Sequence, residues 1–80
     1  MNEILMRALV EACAFLELSS DDVVDPDVAV KQLESLGHLL SQLSETEKRE
    51  FVLFTRGEAE RVSSDPYRNF LRHFADAMGL

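Results

Sequence analysis

Ile4, Leu5, Ala8, Leu9, Ala12, Phe15 and Leu16 recur at three- and four-residue spacing, the period of one helical face. With Asn2 as N-cap they predict a first helix over about 2–18, ending where Ser19-Ser20-Asp21-Asp22 begins a polar connection. Asp25-Pro26-Asp27 is a strong start signal, because the aspartate accepts from orphan amides and proline suits the first helical position. The second helix, about 26–43, carries the seam Ala29, Leu33, Leu36, Leu40 and Leu43. Gly37 lies beside that seam and costs about 1 kcal/mol relative to alanine, which close approach of a neighbouring helix would offset.

Ser44-Glu45-Thr46-Glu47 matches a capping box and opens a third helix over about 45–62. Its core side is Phe51, Phe54, Thr55, Ala59 and Val62, and Gly57 is expected to kink it or end it early. Ser63-Ser64-Asp65-Pro66 repeats the Asp-Pro signal before a fourth helix, about 66–78, with Tyr67, Phe70, Leu71, Phe74 and Met78 on one stripe. Gly79 is suited to close it. No segment alternates like a strand. The expected fold is all-α: a compact four-helix domain over residues 1–80, built as two packed α-hairpins. The recurrence of Ser-Ser-Asp and Asp-Pro in both inter-helix connections agrees with that division, although shared capping chemistry explains it equally well.

Composition narrows the partners. The chain has 80 residues, 46% hydrophobic, and a net charge of −7 from 15 Asp/Glu against 8 Lys/Arg. That hydrophobic fraction argues against disorder, and the acidic balance argues against nucleic acid as a partner. No apolar run is long enough to span a bilayer. The first residues lack a basic n-region and a cleavage pattern, so a cytoplasmic location is expected. Position matters more than total: residues 1–30 hold seven acids and one base, whereas residues 31–80 are close to balanced. Glu17, Asp21, Asp22, Asp25, Asp27 and Glu34 are therefore the candidate contacts of an acidic surface, Asp25 shared with its capping role. Such a surface would steer a basic protein and bind it salt-sensitively.

Other chemistry is sparse. Cys13, His38 and His73 fall on three separate predicted helices, and Glu34 with His38 is too small a set for a structural metal site. His38 projects away from the leucine seam, His73 flanks its stripe, and Cys13 reads as a small, half-buried thiol. There is no nucleophile elbow and no Gly-rich phosphate loop. The carboxylates cluster in polar loops and caps, not in an apolar pocket that would hold one protonated. The expectation is a protein with no catalytic, cofactor or metal site. In the third helix, Leu53 shares an outer stripe with Arg49, Arg56 and Glu60, which raises a helical homodimer as an alternative if it belongs to an exposed patch.

Two resemblances bear on function. Glu34-Ser35-Leu36-Gly37, in a short acidic helical chain, resembles the Asp-Ser-Leu of acyl carrier proteins, implying a phosphopantetheine on Ser35. The carrier serine opens its helix, however, whereas Ser35 lies about nine residues inside the predicted second one. The stretch from Phe15 to Glu34, and the ending from Phe70 to Leu80, resemble small acidic helical bacterial proteins, among them immunity proteins paired with toxins. That likeness implies an inhibitor that occludes a basic toxin through a complementary acidic surface.

Overall fold

Three of the four helices begin on a side-chain cap close in the chain, and the fourth, after Ser64, begins without one. The computed structural model describes all 80 residues as four helices: α1 Glu3–Leu18, α2 Pro26–Leu40, α3 Glu45–Arg61 and α4 Asp65–Ala77. Asn2 Oδ1 accepts from the amides of Ile4 (2.8 Å) and Leu5 (3.2 Å), and Asp25 Oδ1 from those of Asp27 (2.9 Å) and Val28 (3.3 Å). The capping box is complete: Ser44 Oγ accepts from the Glu47 amide, and Glu47 Oε1 accepts from the Ser44 amide. At the far end Gly79, at φ +77°, allows a Schellman closure. Leu80 N–H donates to the Ala75 carbonyl (2.8 Å) and Gly79 N–H to that of Asp76 (3.1 Å).

Five helix ends and one face differ from the sequence reading; the start of α1 and the ends of α3 and α4 each lie one residue inside the expected bound. α2 stops at Leu40, not Leu43. Gln42 and Leu43 donate to the carbonyls of Leu39 and Leu40, a tighter turn that brings Leu43 onto the core before Ser44 opens α3. α4 begins one residue early: Ser64 is its N-cap, and Asp65 sits in the first turn, accepting from Arg68 Nη1 at 2.9 Å. Gly57 neither kinks nor ends α3, which continues to Arg61. The changed face is on α1, where Met6, Val10, Cys13 and Ala14 are buried while Ile4, Leu5, Ala8, Ala12 and Phe15 are exposed.

Two layers hold the core. The molecule measures 37 × 29 × 20 Å, and its short axis is two helix diameters. α3 and α4 pack most extensively, α1 packs on α2, and α1 is the helix that joins this hairpin to α4 and α3. Phe51, Leu71, Val10, Thr55 and Cys13 are the largest fully buried side chains. Phe51 meets Phe74 with ring centroids 5.7 Å apart, and Phe70 meets Phe74 at 5.4 Å. Thr55 satisfies its hydroxyl on the Val52 carbonyl at 3.0 Å, so burial leaves no orphan side-chain polar atom.

Polar ties fix how the helices rotate against each other. Arg7 reaches from α1 to Glu58 of α3 (2.9 Å) and lies over the Phe54 ring, 5.5 Å from its centroid. The hydrogen bond to Glu58 holds the Arg7 guanidinium even more firmly protonated than usual. Arg68 Nη2 caps the end of α3 by donating to the Val62 carbonyl at 2.9 Å.

Gly57 offers a clean stability test. It is exposed in a helix interior, and a Cβ there would meet nothing within 4 Å. Gly57→Ala is expected to stabilise the fold by about 0.5–1 kcal/mol. A thermal melt should show the midpoint rising by about 3–8 °C. A fall would mean that the local backbone needs glycine.

Candidate functional site

The α1–α2 connection concentrates negative charge without neutralising it. Val23 and Val24 N–H both donate to the Ser20 carbonyl (2.9 and 3.0 Å), closing a tight turn that leaves Asp21 and Asp22 exposed. Glu17 lies in the last turn of α1, Asp27 in the first turn of α2, and Glu34 further along α2; all are exposed. Asp25 spends one oxygen on the cap. None of these six carboxylates is within ion-pair distance of a cation, because the five ion pairs lie elsewhere. Two valines missed by the sequence reading, Val23 and Val28, are exposed beside them.

The structure divides the six candidates. Glu17 and Glu34 come together on one groove of about 490 Å³, whereas Asp21, Asp22, Asp25 and Asp27 lie outside its lining. Its apolar surface comes from Val30 and Leu33 of α2, Phe74 and Ala77 of α4, and Met78 just beyond. Gly37 leaves the floor open. A Cβ there would lie 3.7 Å from the Met78 carbonyl oxygen and Sδ, an ordinary contact, so crowding by a neighbouring helix does not explain this glycine. Met78 supplies an adaptable wall. Apolar anchoring with two unpaired carboxylates fits a ligand segment that carries both an apolar side chain and cations.

Half of the groove had a signal in the sequence. Val30, Leu33, Glu34 and Gly37 follow i, i+3, i+4, i+7 spacing and so share one face of α2. The wall from α4 had none, because it depends on which helix end comes to rest against α2.

Elsewhere the side chains are dispersed. His38, His73 and Ser35 are exposed, Ser35 standing well inside α2. No three His, Cys, Asp or Glu side chains converge as a metal site would require. Leu53 is exposed and shares a shallow hollow with Arg49, Val52, Arg56 and Leu80, and neither arginine has an ion-pair partner. No helix is long and apolar enough to cross a membrane.

Cys13 is fully buried, not half-buried, and desolvation pushes its thiol from 9.0 up to about 11. The native chain should resist thiol reagents near pH 8, reacting only as it opens; rapid stoichiometric labelling would contradict the burial. Because the folded value lies above the unfolded one, this contribution to stability is complete below about pH 9 and declines as pH rises toward about 11.

No protein-family model, curated protein or solved structure was found to match this chain.

Proposed function

We propose that this chain is a protein-binding module whose acidic α1–α2 face and adjoining groove receive a basic segment of a partner protein. The observation that supports this best is the pairing of Glu17 and Glu34 on the walls of an apolar groove, with neither carboxylate neutralised within the fold. Charge brings the partner in, and the groove supplies the contact that outlasts the encounter. Asp21, Asp22 and Asp27 extend the attractive field beyond the groove. A partner side chain seated between α2 and α4, with lysine or arginine on either side, satisfies both features.

The most specific form of the reading is an immunity-type inhibitor, acting in the cytoplasm and neutralising a basic toxin by occlusion, with no catalytic step of its own. Its test is protection. Cells producing the toxic product of an adjacent gene should survive when this chain is co-expressed. They should lose protection when Asp21, Asp22 and Asp27 are changed to asparagine together with Glu17→Gln and Glu34→Gln. Absence of protection by the natural chain removes the immunity reading. Partner affinity unchanged by the substitutions removes the proposed surface.

A further inference from the structure

The first helix is apolar on two sides. At 100° per residue, the buried Met6, Val10, Cys13 and Ala14 lie nearly opposite an arc running from Ile4 through Phe15, Ala8 and Ala12 to Leu5. Ile4 is 75% exposed, Leu5 68% and Phe15 55%, and both alanines are exposed as well. A helix apolar on opposite faces is normally covered on both. Within this chain only one face is covered.

We infer that the outer face of α1 is a self-association surface that pairs with the same face of a second copy of this chain. Its shape is self-complementary. Bulky Ile4 and Leu5 stand at one end, bulky Phe15 at the other, and small Ala8 and Ala12 between them. An antiparallel two-fold pairing, with its axis at the level of Val10, sets Ile4 and Leu5 of one copy beside Phe15 of the other. The helices then approach closely where both present alanine. The exposed apolar area of the five residues is on the order of 450 Å², within the roughly 300–600 Å² of the largest patch on a monomer. Flanking Glu11 and the exposed part of Leu16 bring each side toward about 500 Å², and so a pairing toward about 1,000 Å² in all, at the low end for a specific interface. That size suits a reversible dimer. An anionic membrane is a poor occupant for a chain of net charge −7.

Charge gives this association a sign opposite to that of partner binding. Two chains of net −7 repel, and Glu11 borders the stripe near the two-fold, so both carboxylates fall along one edge of the pairing. Added salt should therefore tighten the dimer. The groove stays open, because Glu17 is 200° around the helix from Phe15.

Sedimentation equilibrium of the full chain, from about 10 μM to about 1 mM, is the test. The mass is expected to rise from 9.1 kDa toward twice that value, and at lower concentration in higher salt. Glu11→Gln should tighten association several-fold. Ala12→Glu and Leu5→Gln, both at exposed positions, should each weaken it at least about tenfold, with unchanged helical circular dichroism. Leu53→Gln should leave it unaltered. A mass of 9.1 kDa throughout overturns the proposal, whatever else the face then proves to bind, and so does association that survives both α1 substitutions or is abolished by Leu53→Gln alone.

Discussion

Phe51→Ala is expected to remove about 3–5 kcal/mol of stability, the largest effect of any single substitution considered for this chain. Phe51 is fully buried, stacks obliquely on Phe74, and lies where α3 meets α4, the most extensive helix pairing in the fold. Truncation removes the transfer free energy of the ring and leaves a hole that Leu71, Phe74 and Val10 cannot all relax into. A domain of 80 residues has about 4–12 kcal/mol in total, so the variant should lose at least about a quarter of its stability. Urea titration followed by circular dichroism should show the midpoint falling by at least about a quarter, with little change in slope. Leu53→Ala, two residues away on the exposed side of the same helix, should cost no more than about 0.5 kcal/mol. Equal losses at the two positions would mean that α3 is rotated from the orientation described.

That contrast marks what the sequence could reveal. Phe51 and Leu53 are distinguishable because α3 is polar on one side, with Arg49, Arg56 and Glu60 fixing the outer face. The seams of α2 and α4 were legible for the same reason. Helix starts at Asn2, Asp25 and Ser44 were legible because a cap is chemistry between neighbours two or three residues apart. The rotation of α1 was not. Its apolar residues form two stripes, and periodicity cannot choose between them. The choice rests on partners more than thirty residues away, the Phe51, Leu71 and Phe74 cluster that takes in Met6, Val10 and Cys13, and the Arg7 contacts with Glu58 and Phe54 agree with it. The start of α4 was misplaced by one residue because Ser64-Asp65 offers two capping residues in succession; Asp65, inside the first turn, accepts from Arg68 instead.

The candidate site divides along the same line. The acidic stretch was visible as charge, and the turn at Ser20 and the cap at Asp25 are local. The groove was invisible as a whole. It forms only where the Schellman turn after α4 brings Met78 and Gly79 against Val30, Leu33 and Gly37. Charge alone therefore suggested one acidic surface of six carboxylates, Asp25 shared with its cap, whereas the fold separates Glu17 and Glu34 on the groove from the aspartates outside its lining.

Reversing that pair, Glu17→Lys with Glu34→Lys, is expected to weaken a basic apolar partner by about 2 kcal/mol, roughly thirtyfold in dissociation constant. The reversal replaces attraction by repulsion at two points that flank the seated segment. Both residues are exposed and outside any ion pair in the fold, so stability should move little. Neutralising Asp21, Asp22 and Asp27 should act mainly on association rate and on salt dependence, because these carboxylates lie outside the groove. The two sets of variants thus separate steering from seating.

The central claim is that charge and groove act together, and amide chemical-shift mapping tests it most directly. A synthetic leucine-lysine peptide, one of lysine alone and one of leucine and glutamate would each be titrated into the labelled chain, in about 50 mM and about 500 mM salt. The leucine-lysine peptide should bind most tightly and move the amides of Glu17, Val30, Glu34, Gly37 and Met78. Its binding should weaken at the higher salt and in the double variant carrying Glu17→Lys and Glu34→Lys. Equal binding of the lysine-only peptide, or shifts confined to residues outside the groove, would contradict the account.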